Sequence, residues 1–302
     1  MQTLITGATG FVGRNLIHEL PDAVIAGRDL HAMQRLLPDH QARIWHPEQK
    51  RDTDLLNGID AVVHLAGESI FHGRWTQTKK ERIRSSRVMG TRHLVRSMAA
   101  ADSRPRVLVC ASAVGIYGDR ADELLTEDSS HGHDFLASVC GQWEYEALRA
   151  REFGIRVVLL RFGVVLGQNG GALAQMLPPF RMGLGGRLGS GRQYMPWIHI
   201  LDLCRIIRTA LKDDSLQGPV NAVAPYPVTN LVFTQTLARA LHRPALLPVP
   251  AFLLRLVLGE FATVLLASQN VQPKRLATLG FSFSFPDITT CLNDLTKTNN
   301  LG

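Results

Sequence analysis

Residues 4–13 read Leu-Ile-Thr-Gly-Ala-Thr-Gly-Phe-Val-Gly, and they decide the fold. A short apolar run enters a turn with Gly7, Gly10 and Gly13. The next residues, Arg-Asn-Leu-Ile-His-Glu-Leu, carry apolar side chains at helical spacing. The order strand, glycine turn, helix opens a βαβ unit. Gly7 suits a tight turn, Gly10 a close approach of backbone to a pyrophosphate, and Gly13 close packing of helix on strand. The N–H groups of Thr9, Phe11 and Val12 lie where a helix start faces phosphates. A glycine triplet alone is weak evidence; its place directly after a strand makes it a dinucleotide-binding signal.

A second strand is expected at 23–27, ending in Gly27-Arg28. An acidic residue at this place takes the ribose 2′-hydroxyl of NAD, whereas an Arg takes the 2′-phosphate of NADP. Arg28, with Gly27 leaving room beside it and Arg14 adding charge, favours NADP(H) over NAD(H). Asp29 is a small counter-argument. Further strands are expected at 61–65, 107–111 and 156–160, with 42–45 as a weaker candidate. Helical patterns fall at 11–20, 29–37, 76–100 and 136–152. Such alternation predicts an α/β fold, a Rossmann-type doubly wound parallel sheet covered on both faces. The fourth strand and its turn, Asp60 to Gly67, put Leu65, Ala66 and Gly67 on the cofactor edge. His64 reads as a core histidine.

The expected organisation is a dinucleotide-binding domain over 1–167, its sheet completed by about 200–224, and a smaller C-terminal substrate domain over 168–302. Seven glycines between 170 and 191, together with Pro178 and Pro179, read as a loop-rich cleft wall. A helix is expected at 201–212, with Asp202 helping to cap it, then a strand near 219–223 and a helix at 230–242.

The 302 residues carry a net charge of +7, but the basic residues are dispersed. The densest run, Lys79 to Arg92, reads as a polar helix flank, with no accompanying nucleic-acid signature. Nucleic acid is therefore not an expected partner. Four cysteines, none in a CxxC pair, point away from zinc and disulfides and towards a reducing cytoplasm. The apolar stretch from Ala245 to Ser268 is broken by prolines, Arg255 and Glu260, so no membrane span is expected.

Several segments together resemble the extended short-chain dehydrogenase/reductase superfamily. Gly7, Gly10 and Gly13 match its TGxxGxxG turn, and Arg87-Val-Met-Gly-Thr-Arg-His-Leu its NVxGTxNL helix with Arg in place of Asn. Ala111-Ser-Ala-Val-Gly-Ile-Tyr-Gly118 is similar to SSxxVYG, Arg161 to Gly167 to RxxNVYG, and Gly189-Ser-Gly-Arg-Gln with Trp197 to Leu203 to GxGxQ…FIHVxDL. Met176 to Gly186, Gly189 to His199 and Pro273 to Phe281 more closely resemble an atypical branch, the YfcH-like epimerase-family proteins. That branch is described as nucleoside-diphosphate-sugar epimerase-like, a description that rests on fold.

The resemblance implies a Tyr-x-x-x-Lys dyad, in which the Lys lowers the Tyr pKa and holds the nicotinamide ribose. This chain lacks it. Leu136 stands at the Tyr position and Cys140 at the Lys position. The positions left for catalysis are Ser112 as a pocket hydroxyl, Tyr117 as a displaced proton donor and Cys140 as an acid or base. For each, a packing role is the alternative. Arg87 puts a permanent fork of donors where Asn is usual and is expected to reach a ligand, with Glu81 upstream as its partner or a ribose contact. Val165 is expected to line the cofactor trough. Arg181 and Arg192 hint at an anionic small-molecule substrate. No metal site is expected. Two functions stay open: an NADP(H)-dependent oxidoreductase or epimerase with nonstandard acid–base residues, or a catalytically weak NADP(H)-binding regulatory or scaffold protein.

Overall fold

Alternation of apolar residues in the central strands sends successive side chains to opposite faces of one sheet. Ile5, Ile25, Val63, Val109 and Val158 pack on one side against Leu16, Ile206 and Ile207. Leu4, Val24, Val62, Leu108 and Leu159 pack on the other against Leu94, Met98 and Trp143. Burial on both sides explains why these strands read as unbroken apolar runs.

The computed structural model describes residues 1–48, 52–71 and 73–297. In chain order the first eleven strands are β1 (Thr3–Thr6), β2 (Val24–Gly27), β3 (Ala42–Ile44), β4 (Ala61–His64), β5 (Val107–Ala113), β6 (Leu124–Leu125), β7 (Arg156–Phe162), β8 (Val164–Gly167), β9 (Tyr194–Met195), β10 (Trp197–His199) and β11 (Gly218–Ala222). Seven of them form a parallel sheet of order β3-β2-β1-β4-β5-β7-β11. This is a Rossmann-like α/β fold, as expected, and the weak candidate at 42–45 is its edge strand. The strand order reverses between β1 and β4, the place where open α/β sheets take their ligands.

The helices that matter for the site are α1 (Phe11–Leu16), α2 (Leu30–Leu36), α3 (Gln77–Ala100) and α4 (Phe135–Leu148). Helix α3 opens on Thr76, whose hydroxyl accepts from Lys79 N, and α4 on Asp134, whose carboxylate accepts from Ala137 N. Each cap satisfies one of the donors that a helix start leaves without a partner.

Two expectations need correction. The glycine- and proline-rich span is not all loop: α5 (Gly171–Arg181) runs through it with Pro178 and Pro179 inside. Each proline removes one helical hydrogen bond. Burial of Leu173, Leu177 and Phe180 against Trp197 and Phe233 outweighs that loss. Asp202 is not the cap of α6 (Ile200–Lys212). His199 is, its Nδ1 accepting from Leu201 N. The Asp202 carboxylate is fully buried and accepts from Ser284 N and Phe285 N, each at 2.9 Å, while Arg205 pairs with it at 3.0 Å. It ties the C-terminal segment to the sheet domain.

Among the described residues no helix is long and apolar enough to cross a membrane. The helix expected at 230–242 is α7 (Asn230–Ala240), and the apolar stretch expected to be broken forms α8 (Ala251–Leu258) and shorter helical turns. All four cysteines are buried and free.

Candidate functional site

The glycine turn leaves β1 at Gly7, whose φ is +74°. A side chain there is strained, and its Cβ would lie 2.8 Å from Ala66 N. Turn and post-β4 loop therefore touch backbone to backbone, which brings Leu65 and Ala66 to the turn. A Cβ on Gly13 would come within 2.5 Å of Gly7 O and Ala8 Cα, so only glycine lets α1 seat this closely. Gly10 N donates to Gly7 O at 3.0 Å, and Gly10 begins α1 with no side-chain cap. Missing side chains thus let strand end, turn and helix start pack backbone on backbone, and they leave the start of α1 without a side-chain cap.

Beneath it, His64 is buried between two hydroxyls: Nδ1 lies 2.7 Å from Thr6 Oγ1 and Nε2 3.0 Å from Thr91 Oγ1. Burial first, and the positive charge of Arg87 second, push its pKa down to about 4, so it is neutral near pH 7. It is a core histidine that joins β1, β4 and α3.

Arg28 is exposed at the end of β2. Asp29, the apparent counter-argument, caps α2 by accepting from Ala32 N at 2.9 Å. Its carboxylate is spent on a helix start. Gly27 sits under Met33, whose sulfur would be 3.1 Å from a Cβ there.

Arg87 does not pair with Glu81. Its Nη1 donates to the carbonyls of Glu68 (2.9 Å) and Ile83 (3.4 Å), and its guanidinium lies 5.3 Å from the Trp143 ring centroid. A Cβ on Gly67 would touch that guanidinium at 3.3 Å. Glu81 is exposed and accepts from Gln77 Nε2 at 3.2 Å. Glu68 was not singled out in the sequence, yet three residues of α3 hold it. Lys79 Nζ reaches its carboxylate at 2.5 Å, Ser86 Oγ accepts from its N–H, and Arg87 takes its carbonyl.

Val165 lies on β8, paired with Ile198 of β10. The Phe11 ring is wedged against the turn after β8. A Cβ on Gly167, Gly170 or Gly171 would come within 2.3–2.7 Å of that ring or of Val165 O. These glycines, of which Gly170 and Gly171 read as part of a loop, make room for an aromatic side chain from the glycine turn.

Further along the same carboxyl edge, beyond β4, two of the candidate catalytic residues, Ser112 at the end of β5 and Tyr117 just after it, sit in a buried network. Ser112 Oγ donates to Glu144 Oε1 at 2.7 Å. Arg161 grips both Glu144 oxygens, Nε to Oε1 and Nη2 to Oε2, each at 2.9 Å. Arg161 Nη1 donates to Tyr117 Oη at 2.9 Å, and that hydroxyl donates to Asn221 Oδ1 at 2.7 Å. Tyr117 is fully buried, and burial raises its pKa despite Arg161 beside it. Cys140 is buried on α4, and burial pushes its thiol up to about 12 against the opposing charge of Arg87. Leu136 packs near Gly115. The Glu144–Arg161 pair was missed in the sequence because its members are 17 residues apart on different elements; the RxxNVYG-like segment was its one signal. Among the described residues no group of three or more His, Cys, Asp or Glu is placed to hold a metal ion.

The profile of the NAD dependent epimerase/dehydratase family matches residues 3–224. The chain belongs to this family. A domain of unknown function, DUF1731, matches residues 249–295. Epimerase family protein YfhF of Bacillus subtilis is 38% identical to this family member over 301 residues, covering 98% of each chain. A chloroplastic SDR39U1 homolog of Arabidopsis thaliana is 42% identical over 299 residues, covering 97% of this chain and 86% of its own. Among solved structures, human epimerase family protein SDR39U1 with NADPH superposes with a TM-score of 0.88 at 34% identity, covering 99% of this chain and 100% of that one. These relatives span the whole epimerase-family chain, both its sheet and its C-terminal part, as the resemblance to an atypical extended short-chain dehydrogenase/reductase implies.

Proposed function

We propose that this protein binds NADP(H) in preference to NAD(H) along the carboxyl edge of β1, β2 and β4, as an atypical short-chain dehydrogenase/reductase of the YfcH-like branch. One observation carries the preference. The β2 end offers an exposed Arg28, while its acidic neighbour Asp29 is consumed as a helix cap. The related human protein, whose structure contains NADPH, supports the same reading.

The residues fit such a group, because Gly7 and Gly13 let turn, post-β4 loop and helix close on one another backbone to backbone, and Gly10 starts α1 with no side chain over its first N–H groups. In this reading Gly7, Thr9, Gly10, Phe11, Val12 and Gly13 hold the pyrophosphate. Arg28 beside Gly27 takes the 2′-phosphate, Leu65, Ala66 and Gly67 border the ribose, and Val165 lines the trough. The bound cofactor supplies or accepts a hydride; the chain supplies position and polarisation. Residues 168–302 close the cleft over a small, anionic carbonyl or carbinol substrate.

A second reading, an NADP(H)-binding regulatory or scaffold protein with little chemistry, is favoured by one observation. Ser112 and Tyr117 both spend their hydroxyl protons inside the protein, and Cys140 holds its proton tightly. The dyad that would replace them is absent.

Calorimetric titration with both cofactors tests the binding. NADPH should bind more tightly than NADH, and Arg28→Ala should weaken NADPH by roughly tenfold or more, as for loss of a charge-assisted phosphate contact, while leaving NADH unchanged. Equal affinities in the parent protein overturn the reading. Tight NADPH binding with no turnover on a panel of carbonyl compounds and sugar nucleotides selects the regulatory alternative.

A further inference from the structure

Lys79, Arg82 and Ser86 follow one another at three- and four-residue steps on α3 and so share a face. That face meets the loop after β4. Lys79 and Ser86 both bond Glu68, and Arg82 stands between them. Glu68 is also the acidic group that feels Arg28 from the end of β2. The Lys79 hydrogen bond is the first cause holding its carboxyl below the usual range, with Arg82 and Arg28 adding positive charge. Lys79 alone bonds this carboxylate, at 2.5 Å; Arg82 shares its helix face, and Arg28 follows β2, whose carboxyl end lies one strand, β1, away from that of β4.

The remaining two cations are uncommitted. Among the described residues neither Arg28 nor Arg82 forms a hydrogen bond or ion pair, and both are exposed. The nearby carboxylates are spent elsewhere: Asp29 caps α2, and Glu81 accepts from Gln77. Two guanidinium groups from different elements, with surplus positive charge between them, match a dianionic phosphate monoester better than a ribose hydroxyl.

We propose that Arg82 is the second arm of the 2′-phosphate site. It would grip the phosphate from α3 while Arg28 grips it from β2, and together they set the preference for NADP(H). This rests on the cofactor reading above. The Glu68–Lys79 pair is a positioning element: it anchors the post-β4 loop to the helix that carries Arg82.

The test uses the full chain and four probes in calorimetry: NADPH, NADH, adenosine 2′,5′-bisphosphate and AMP. Arg82→Ala should weaken NADPH and adenosine 2′,5′-bisphosphate about tenfold, the loss expected for one charge-assisted phosphate contact. NADH and AMP should be unchanged, and Arg82→Lys should recover part of the loss. Arg82 is exposed, so folding should persist, and a thermal melt checks it. The proposal fails if Arg82→Ala leaves the NADPH-to-NADH ratio unaltered while Arg28→Ala collapses it; the cofactor reading then survives without the second arm. It fails equally if Arg82→Ala weakens all four probes alike. If the parent protein binds none of the four, both readings fall together.

Discussion

Two neighbouring regions of the sheet's carboxyl edge are built on opposite principles. The edge around Gly7, Gly10 and Gly13 is made by deleting side chains, so backbone donors and the free guanidinium groups of Arg28 and Arg82 stay available. The region around Ser112, Tyr117 and Arg161 is crowded with polar side chains, and their donors are used within the protein. A polar cluster in a cleft-forming fold is therefore not by itself a reactive site. What counts is whether a donor or acceptor is left over for a ligand. By that measure the first region is poised to bind and the second to hold strands together.

The sharpest way to break this contrast is Glu144→Ala. It would leave Arg161 buried with an uncompensated charge and Ser112 without its acceptor. Chemical denaturation should show a loss of about 3–5 kcal/mol, the cost of removing one partner of a buried pair. Glu144→Gln, which keeps an acceptor for Ser112, should lose less. A Glu144→Ala protein of parental stability would mean that the network is solvated and open to ligands.

Next in size is Gly13→Ala. The added methyl meets backbone at 2.5 Å, so helix or turn must shift. A cost of about 1–3 kcal/mol is expected for such overpacking, and NADPH affinity should fall with it. Retention of both would show that the helix can move aside and that close seating is not what shapes the cradle.

The smallest effect sharpens the comparison rather than breaking it. With its thiol pushed up to about 12 and its side chain buried, Cys140 should resist alkylation at pH 8 in the folded protein and react after unfolding. Cys140→Ala should leave cofactor binding unchanged. Rapid modification of the native thiol, tracked by mass spectrometry, would reopen a chemical role for it.

Much of the sheet was legible because its signals are local. Apolar runs of four to seven residues, and glycines at fixed offsets after a strand, record constraints that act within one βαβ unit. The spacing of Gly7, Gly10 and Gly13 therefore foretold the turn, and the apolar run of β4 foretold where its carboxyl edge would lie. The span from 170 to 191 was misread for the same reason. Pro178 and Pro179 are strong local signals against a helix, and only the burial of Leu173, Leu177 and Phe180 reveals what overrides them.

The sequence by itself determined that a parallel α/β sheet would form, that a glycine turn would join its first strand to a helix, that an arginine would follow β2, and that the usual tyrosine and lysine would be missing. Tertiary structure alone decided how the polar side chains were spent. Ser112 and Glu144 are 32 residues apart, Tyr117 and Asn221 104 apart, and Asp202 and Ser284 82 apart. No local pattern records such pairings, because a hydrogen bond is set by distance in space and its partners are chosen only when the strands are laid side by side. The same holds at the cofactor edge. Whether Arg28 is free depends on Asp29 bending back to cap α2, and whether Arg82 can join it depends on Glu68 drawing α3 over the end of β4.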